Sequence, residues 1–212
     1  DFLIITLGSA WVYELTSLAE NALAGSVAAN NHKAPASWFN RRLLGIAELD
    51  AILAEMIRTL QSFNPSIKII FTISPVRHLR EGFVENNRSK AALITCVHQA
   101  VNDIENVFYF PAYELVIDDL RDYRFYAEDM VHPNYAATNY VWEKFVPACI
   151  DESAQKLMLS VNEINAAKSH KPFNPASEAH KKFMETYAQK LSELAAQYPG
   201  IDFTDDIHFF SR

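Results

Sequence analysis

The chain has 212 residues, of which 50% are hydrophobic and 21% charged, and a formal net charge of −7. That length holds one substantial core plus an appendage, and the acidic balance argues against a nucleic-acid partner, since no basic stripe can displace phosphate counterions. No apolar run approaches the ~20 residues of a membrane helix, so no membrane partner is expected.

Residues 2–7 read as a buried strand that ends at the turn pair Gly8-Ser9. The chain opens at Asp1 inside this pattern, so an N-terminal portion is expected to precede it. A polar connection follows, with Gly25-Ser26 and the run Asn30-Asn31-His32-Lys33-Ala34-Pro35. Leu49, Ile52, Leu53, Met56, Ile57, Leu60 and Phe63 then recur at helical spacing, and Asn64-Pro65 stops the helix. A second buried strand, residues 67–73, runs into Ser74-Pro75-Val76-Arg77-His78. Residues 80–87 read as a loop around Gly82, and Ser89 as the cap of a helix carrying Leu93, Cys96, Val97 and Ala100 on one face.

A third strand, residues 107–110, ends at Pro111; a loop with Asp129-x-x-His132 leads to a helix over about 134–148. Alternating strands and helices predict an α/β fold, a parallel sheet covered on both faces. Ligands bind such sheets beyond the carboxyl ends of the strands, where Gly8-Ser9, Ser74-Pro75 and the Asp129/His132 loop all fall. Residues 1–150 are therefore read as the α/β domain and 151–212 as a helical C-terminal extension. In the extension, Asn174 is the expected N-cap, Pro175 the first helical residue, and Phe183, Tyr187, Leu191 and Leu194 one apolar stripe before Pro199-Gly200.

Asp129 and His132 are the strongest chemical signal. A carboxylate three residues before a histidine holds Nδ1–H, leaving Nε2 bare to take a proton from a hydroxyl. Ser74, Arg77 and His78 form a second cluster, expected to wall a pocket; the bland alternative pairs Arg77 with a carboxylate of the 118–122 run. No G-x-S-x-G surrounds Ser74 to expose a nucleophile. Asn30 and His32 are candidates to hydrogen-bond an oxyanion or a sugar hydroxyl, Gly8 and Ser9 to supply backbone N–H groups, and Trp11, Tyr123, Arg124 and Tyr126 to line the pocket, with core packing the plainer role for Tyr126. A metal held by His32, His78, Asp129 and His132 has no support from spacing, and no cofactor is expected. Cys96 and Cys149, far from CxxC spacing, read as small buried residues of a reducing, cytoplasmic compartment. Arg41-Arg42 and Lys181-Lys182 read as solvated helix faces.

The blocks Ile5-Thr6-Leu7-Gly8-Ser9-Ala10-Trp11, Ala29-Asn30-Asn31-His32-Lys33, Thr72-Ile73-Ser74-Pro75-Val76-Arg77-His78, Glu85-Asn86-Asn87-Arg88-Ser89-Lys90-Ala91 and the run from Leu120 to Pro133 resemble the GSCFA domain family, over roughly residues 1–148. That family resembles the SGNH/GDSL hydrolases, which implies a flavodoxin-like three-layer α/β/α sandwich. The resemblance implies that Asp129 and His132 are the acid and base of a triad. It also implies that Gly8 opens a Gly-x-Asn-Asp block in which Ala10-Trp11 replaces Asn-Asp. The serine of the naming motif would lie upstream of Asp1, so these 212 residues alone are expected to be inactive. The implied activity is ester hydrolysis or acyl transfer on an acylated carbohydrate or other small polar ester. The alternative is a binding or scaffolding module. A homo-oligomer is one way to cover the apolar sheet edges expected here.

Overall fold

The computed structural model describes residues 1–20, 23–31 and 33–211. The chain folds as two compact units, Asp1–Phe145 and Val146–Arg212.

The first unit opens with β1 (Phe2–Leu7). Next comes an antiparallel pair that the periodicity did not reveal, β2 (Trp11–Leu15) and β3 (Phe39–Leu43), with Trp11 opposite Leu43 and Leu15 opposite Phe39. The long polar connection between them carries no short hairpin turn, which removes the usual cue. Arg42, expected on a solvated helix face, instead lies on β3 and reaches Glu14 and Glu48, both at 2.7 Å. Lys181, on the helix expected for it, pairs at the surface with Glu178.

Helix α1 (Ile46–Phe63) ends at Asn64 as its sequence predicts, and β4 (Lys68–Ile73) follows. Helix α2 (Phe83–Asp103) starts six residues before Ser89, with Gly82 as its N-cap at φ +91°. Glycine has no Cβ to oppose that conformation, so the residue read as a loop glycine launches the helix. Strand β5 (Val107–Tyr109) leads into a further unpredicted element, α3 (Ala112–Glu114), continued by a π-wound turn over Leu115–Leu120. Helix α4 (Tyr135–Cys149) closes the α/β part.

The main sheet is parallel, in the order β1-β4-β5, with Leu3 opposite Ile69 and Ile69 opposite Val107. The period of two splits β4 between the faces. Ile69, Phe71 and Ile73 are buried with Leu49, Leu53 and Ile57 of α1 and Leu93, Val97 and Ala100 of α2. Each of these side chains larger than alanine contributes about 1.5–3 kcal/mol of transfer free energy. On the opposite face, Phe145 of α4 meets Phe110 edge-on at 5.0 Å. The result is a three-layer α/β/α arrangement. Phe2 and Ile4 on the edge strand β1 are 65% and 51% exposed.

The second unit holds α5 (Glu152–Ser169), α6 (Glu178–Gln197) and α7 (Thr204–Phe210). Its core is Ile164, Ala167, Leu191, Leu194, Phe203 and Phe210. Asp151 caps α5, accepting from the Ser153 and Ala154 amides. Ser177, not Asn174, caps α6; Asn174 accepts the Ala176 amide at 3.1 Å in the preceding turn, so two side chains competent to cap stand in series and the later one wins. No described helix is long and apolar enough to cross a membrane.

Candidate functional site

Asp129 and His132 meet through local geometry. Asp129 Oδ1 accepts the backbone amides of Val131 (2.9 Å) and His132 (3.0 Å), closing an Asx-type turn in which Met130 takes φ +57°. That turn points Oδ2 at His132 Nδ1, 2.7 Å away. The His132 amide and imidazole, with the Val131 amide, hold the Asp129 carboxyl down at about 2. The His132 ring is 61% exposed. Met130 donates its amide to Ala127 O (3.0 Å), and Ala127 donates to His132 O (2.7 Å), so the loop is closed on itself. Asn134 joins it to α4: its Nδ2 donates to Arg124 O (2.6 Å) and its Oδ1 accepts the Ala137 amide (3.1 Å).

Arg77 ties the β4 tip to this loop. Its amide donates to Val131 O (3.2 Å), and its guanidinium donates to Met130 O (3.1 Å) while lying 4.2 Å from the Tyr126 ring and 4.9 Å from Tyr123. The pairing of Arg77 with a carboxylate of the 118–122 run is not formed; the aromatic rings of the same loop take its place. Tyr126 is buried, whereas Tyr123 and Arg124 lie at the surface. Arg77, Tyr123 and Tyr126 line a cavity of about 150 Å³ with Val116 and Arg121.

The hydroxyls at the strand tips accept backbone amides. Ser74 Oγ accepts the Val76 amide (3.2 Å), and Ser9 Oγ accepts the Trp11 amide (3.1 Å) and contacts Ser89 Oγ (3.3 Å). A Cβ built on Gly8 would meet nothing within 4 Å among the described residues. Close packing is therefore not what calls for glycine there. Trp11 sits on β2, and its buried Nε1 has no acceptor among the described residues.

Two candidates fall outside this cluster of loops. Asn30 lines a separate cavity of about 260 Å³ with Tyr13 and Arg80, to which no residue of the 129–132 loop contributes. His78 Nδ1 lies 3.1 Å from Glu81 Oε2, and Glu81 in turn pairs with Arg41 at 3.0 Å. His32 lies outside the described residues. Among the described residues no three His, Cys, Asp or Glu side chains are grouped to hold a metal ion. Both cysteines are free thiols, and burial pushes that of Cys96 up to about 12.

Sequence reasoning missed the polar face of α2. Asn86, Ser89 and Lys90 are buried at i, i+3 and i+4. Asn86 Oδ1 accepts the His78 amide (2.8 Å), Ser89 Oγ accepts the Ala10 amide (2.7 Å), and Lys90 Nζ donates to Gly8 O and Ser74 O, both at 2.6 Å. The available signal was polar residues at helical spacing in line with the apolar face; reading Ser89 as a cap concealed it.

Searches of curated proteins and of solved structures matched nothing. The profile described as "GSCFA domain protein, C-terminal domain" matches residues 161–212, within the helical unit. The profile described as "GSCFA family" matches residues 1–145, the whole α/β unit with its Asp129–His132 loop, and the chain therefore belongs to the GSCFA family.

Proposed function

We propose that the protein is an SGNH-type serine esterase or acyl-transfer enzyme acting on acylated carbohydrates or other small polar esters. The observation that carries this reading is the 2.7 Å Asp129–His132 hydrogen bond on an exposed imidazole at the carboxyl end of a parallel sheet. Asp129 fixes the Nδ1–H tautomer, so Nε2 is free to accept a proton. Among the described residues neither the Ser9 nor the Ser74 hydroxyl is hydrogen-bonded to His132, so the nucleophile in this reading is a serine outside these 212 residues.

His132 takes the serine proton as Oγ attacks the ester carbonyl carbon, and backbone N–H groups near Gly8 receive the oxyanion. Collapse of the tetrahedral species expels the alkoxide, which recovers the proton from His132. Water, or an acceptor hydroxyl, then repeats the sequence on the acyl-enzyme.

The test is hydrolysis of small acetyl esters by the whole natural protein. His132→Ala should reduce kcat/KM by roughly three orders of magnitude or more; full activity in that variant would refute the assignment. One observation favours the second reading, a binding module: the buried Ala10 offers no side-chain oxyanion donor where the resemblance implies asparagine. Failure of a serine-reactive phosphonate to label the natural protein would select that reading.

A further inference from the structure

Lys90 is 1% exposed, and its two partners at 2.6 Å are neutral carbonyl oxygens. Burying an ammonium without a counter-ion is costly, and burial lowers its pKa to about 8. Shape alone would be met more cheaply by an aliphatic residue. What the charge does is fasten the carbonyls at the tips of β1 and β4 to one point on α2.

The consequence lies in the peptide that follows Gly8. In a trans peptide the C=O and N–H point in opposite directions. Drawing Gly8 O toward Lys90 therefore turns the Ser9 N–H away from α2. The neighbouring amides are engaged, Ala10 with Ser89 Oγ and Trp11 with Ser9 Oγ. Among the described residues the Ser9 N–H has no acceptor. A cation on the carbonyl oxygen also polarises the peptide and strengthens its N–H as a donor. The link to His132 is continuous: the Ser74 amide donates to Leu7 O (2.9 Å), Lys90 holds Ser74 O, and Arg77, three residues on, carries Met130 and Val131.

We propose that Lys90 is a positioning residue of this site, locking the Gly8–Ser9 peptide so that the Ser9 N–H serves as an oxyanion donor to the reaction driven by His132. The inference rests on the esterase reading.

The test uses the whole natural protein and a fluorophosphonate probe, whose phosphonyl oxygen stands in for the oxyanion. Lys90→Met and Lys90→Gln, the second keeping a donor but not the charge, should each lower the maximal labelling rate roughly tenfold or more. Probe affinity should stay within about threefold, and Lys90→Arg should recover part of the rate. Unchanged labelling rates in Lys90→Met and Lys90→Gln overturn the role of Lys90. An unlabelled wild type, or His132→Ala labelling like wild type, overturns the esterase reading and this inference with it. Should the variants fail to fold, the crystal structure of the labelled wild type decides. A phosphonyl oxygen within hydrogen-bond distance of Ser9 N supports the assignment, and one held only by other donors overturns it.

Discussion

Asp129 performs two tasks with two oxygens. Oδ1 builds the turn and Oδ2 orients the imidazole, so the residue that shapes the loop also sets the chemistry. Asp129→Asn separates these tasks. The asparagine Oδ1 can still accept both amides, but its NH₂ would face Nδ1 and drive the proton to Nε2, the tautomer that cannot act as a base. Labelling by a serine-reactive phosphonate should then fall by roughly three orders of magnitude, with little change in melting temperature, as expected for an exposed pair. The pH dependence has a definite sign. The folded carboxyl is depressed from 3.8 to about 2. The pair's contribution to folding is therefore complete above the ordinary carboxyl value and is lost as pH falls through about 2.

Among the elements, α2 does most to assemble the strand tips, and its sequence shows only part of it. Its apolar face was evident from Leu93 onward; its start was not, because Gly82 is a helix breaker in the interior and a launching point at φ +91°. Lys90 provides a measurable signature of the buried face. Folded Lys90 releases its proton near 8, whereas the unfolded chain does so near 10.5. Between these values the unfolded state binds more protons, so stability rises with pH. Above about pH 9 the thiols of Cys96, which burial pushes up to about 12, and Cys149, also raised, oppose this rise, and above pH 10 so do the half-buried Tyr109 and Tyr113, whose pKa values are raised. Denaturant titrations from pH 8 to 10 isolate the lysine when read as the difference between wild type and Lys90→Met, in which the thiols and phenols cancel; that difference should move in favour of the wild type by on the order of 1–2 kcal/mol. A difference between the two proteins that does not change with pH would contradict the buried-lysine assignment.

Taken as a whole, the molecule follows its periodicities. The three parallel strands and α1, α4 and α6 sit where buried runs and 3.6-residue spacing place them, and α2 keeps its expected apolar face while starting earlier, because core burial and the observed pattern agree. The β2–β3 pair and the α3–π turn escaped because each is short and stabilised by partners distant in sequence, such as Arg42 with Glu14. The Asp129–His132 contact was readable because the loop that makes it is local. The Lys90 clamp was not, since it joins residues 82 and 16 positions apart. The helical unit depends on a small core in which Leu191 is fully buried. Leu191→Ala should cost about 2–5 kcal/mol and be seen as faster amide exchange across α5, α6 and α7; exchange unchanged from wild type would contradict that core.

The chemistry of His132 turns on one proton. ¹⁵N spectroscopy of the His132 imidazole in mildly alkaline solution should find Nδ1 protonated and Nε2 bare, with the Nδ1 proton shifted downfield by Asp129. An imidazole protonated on Nε2, or one exchanging between tautomers as it would in free peptide, would contradict it.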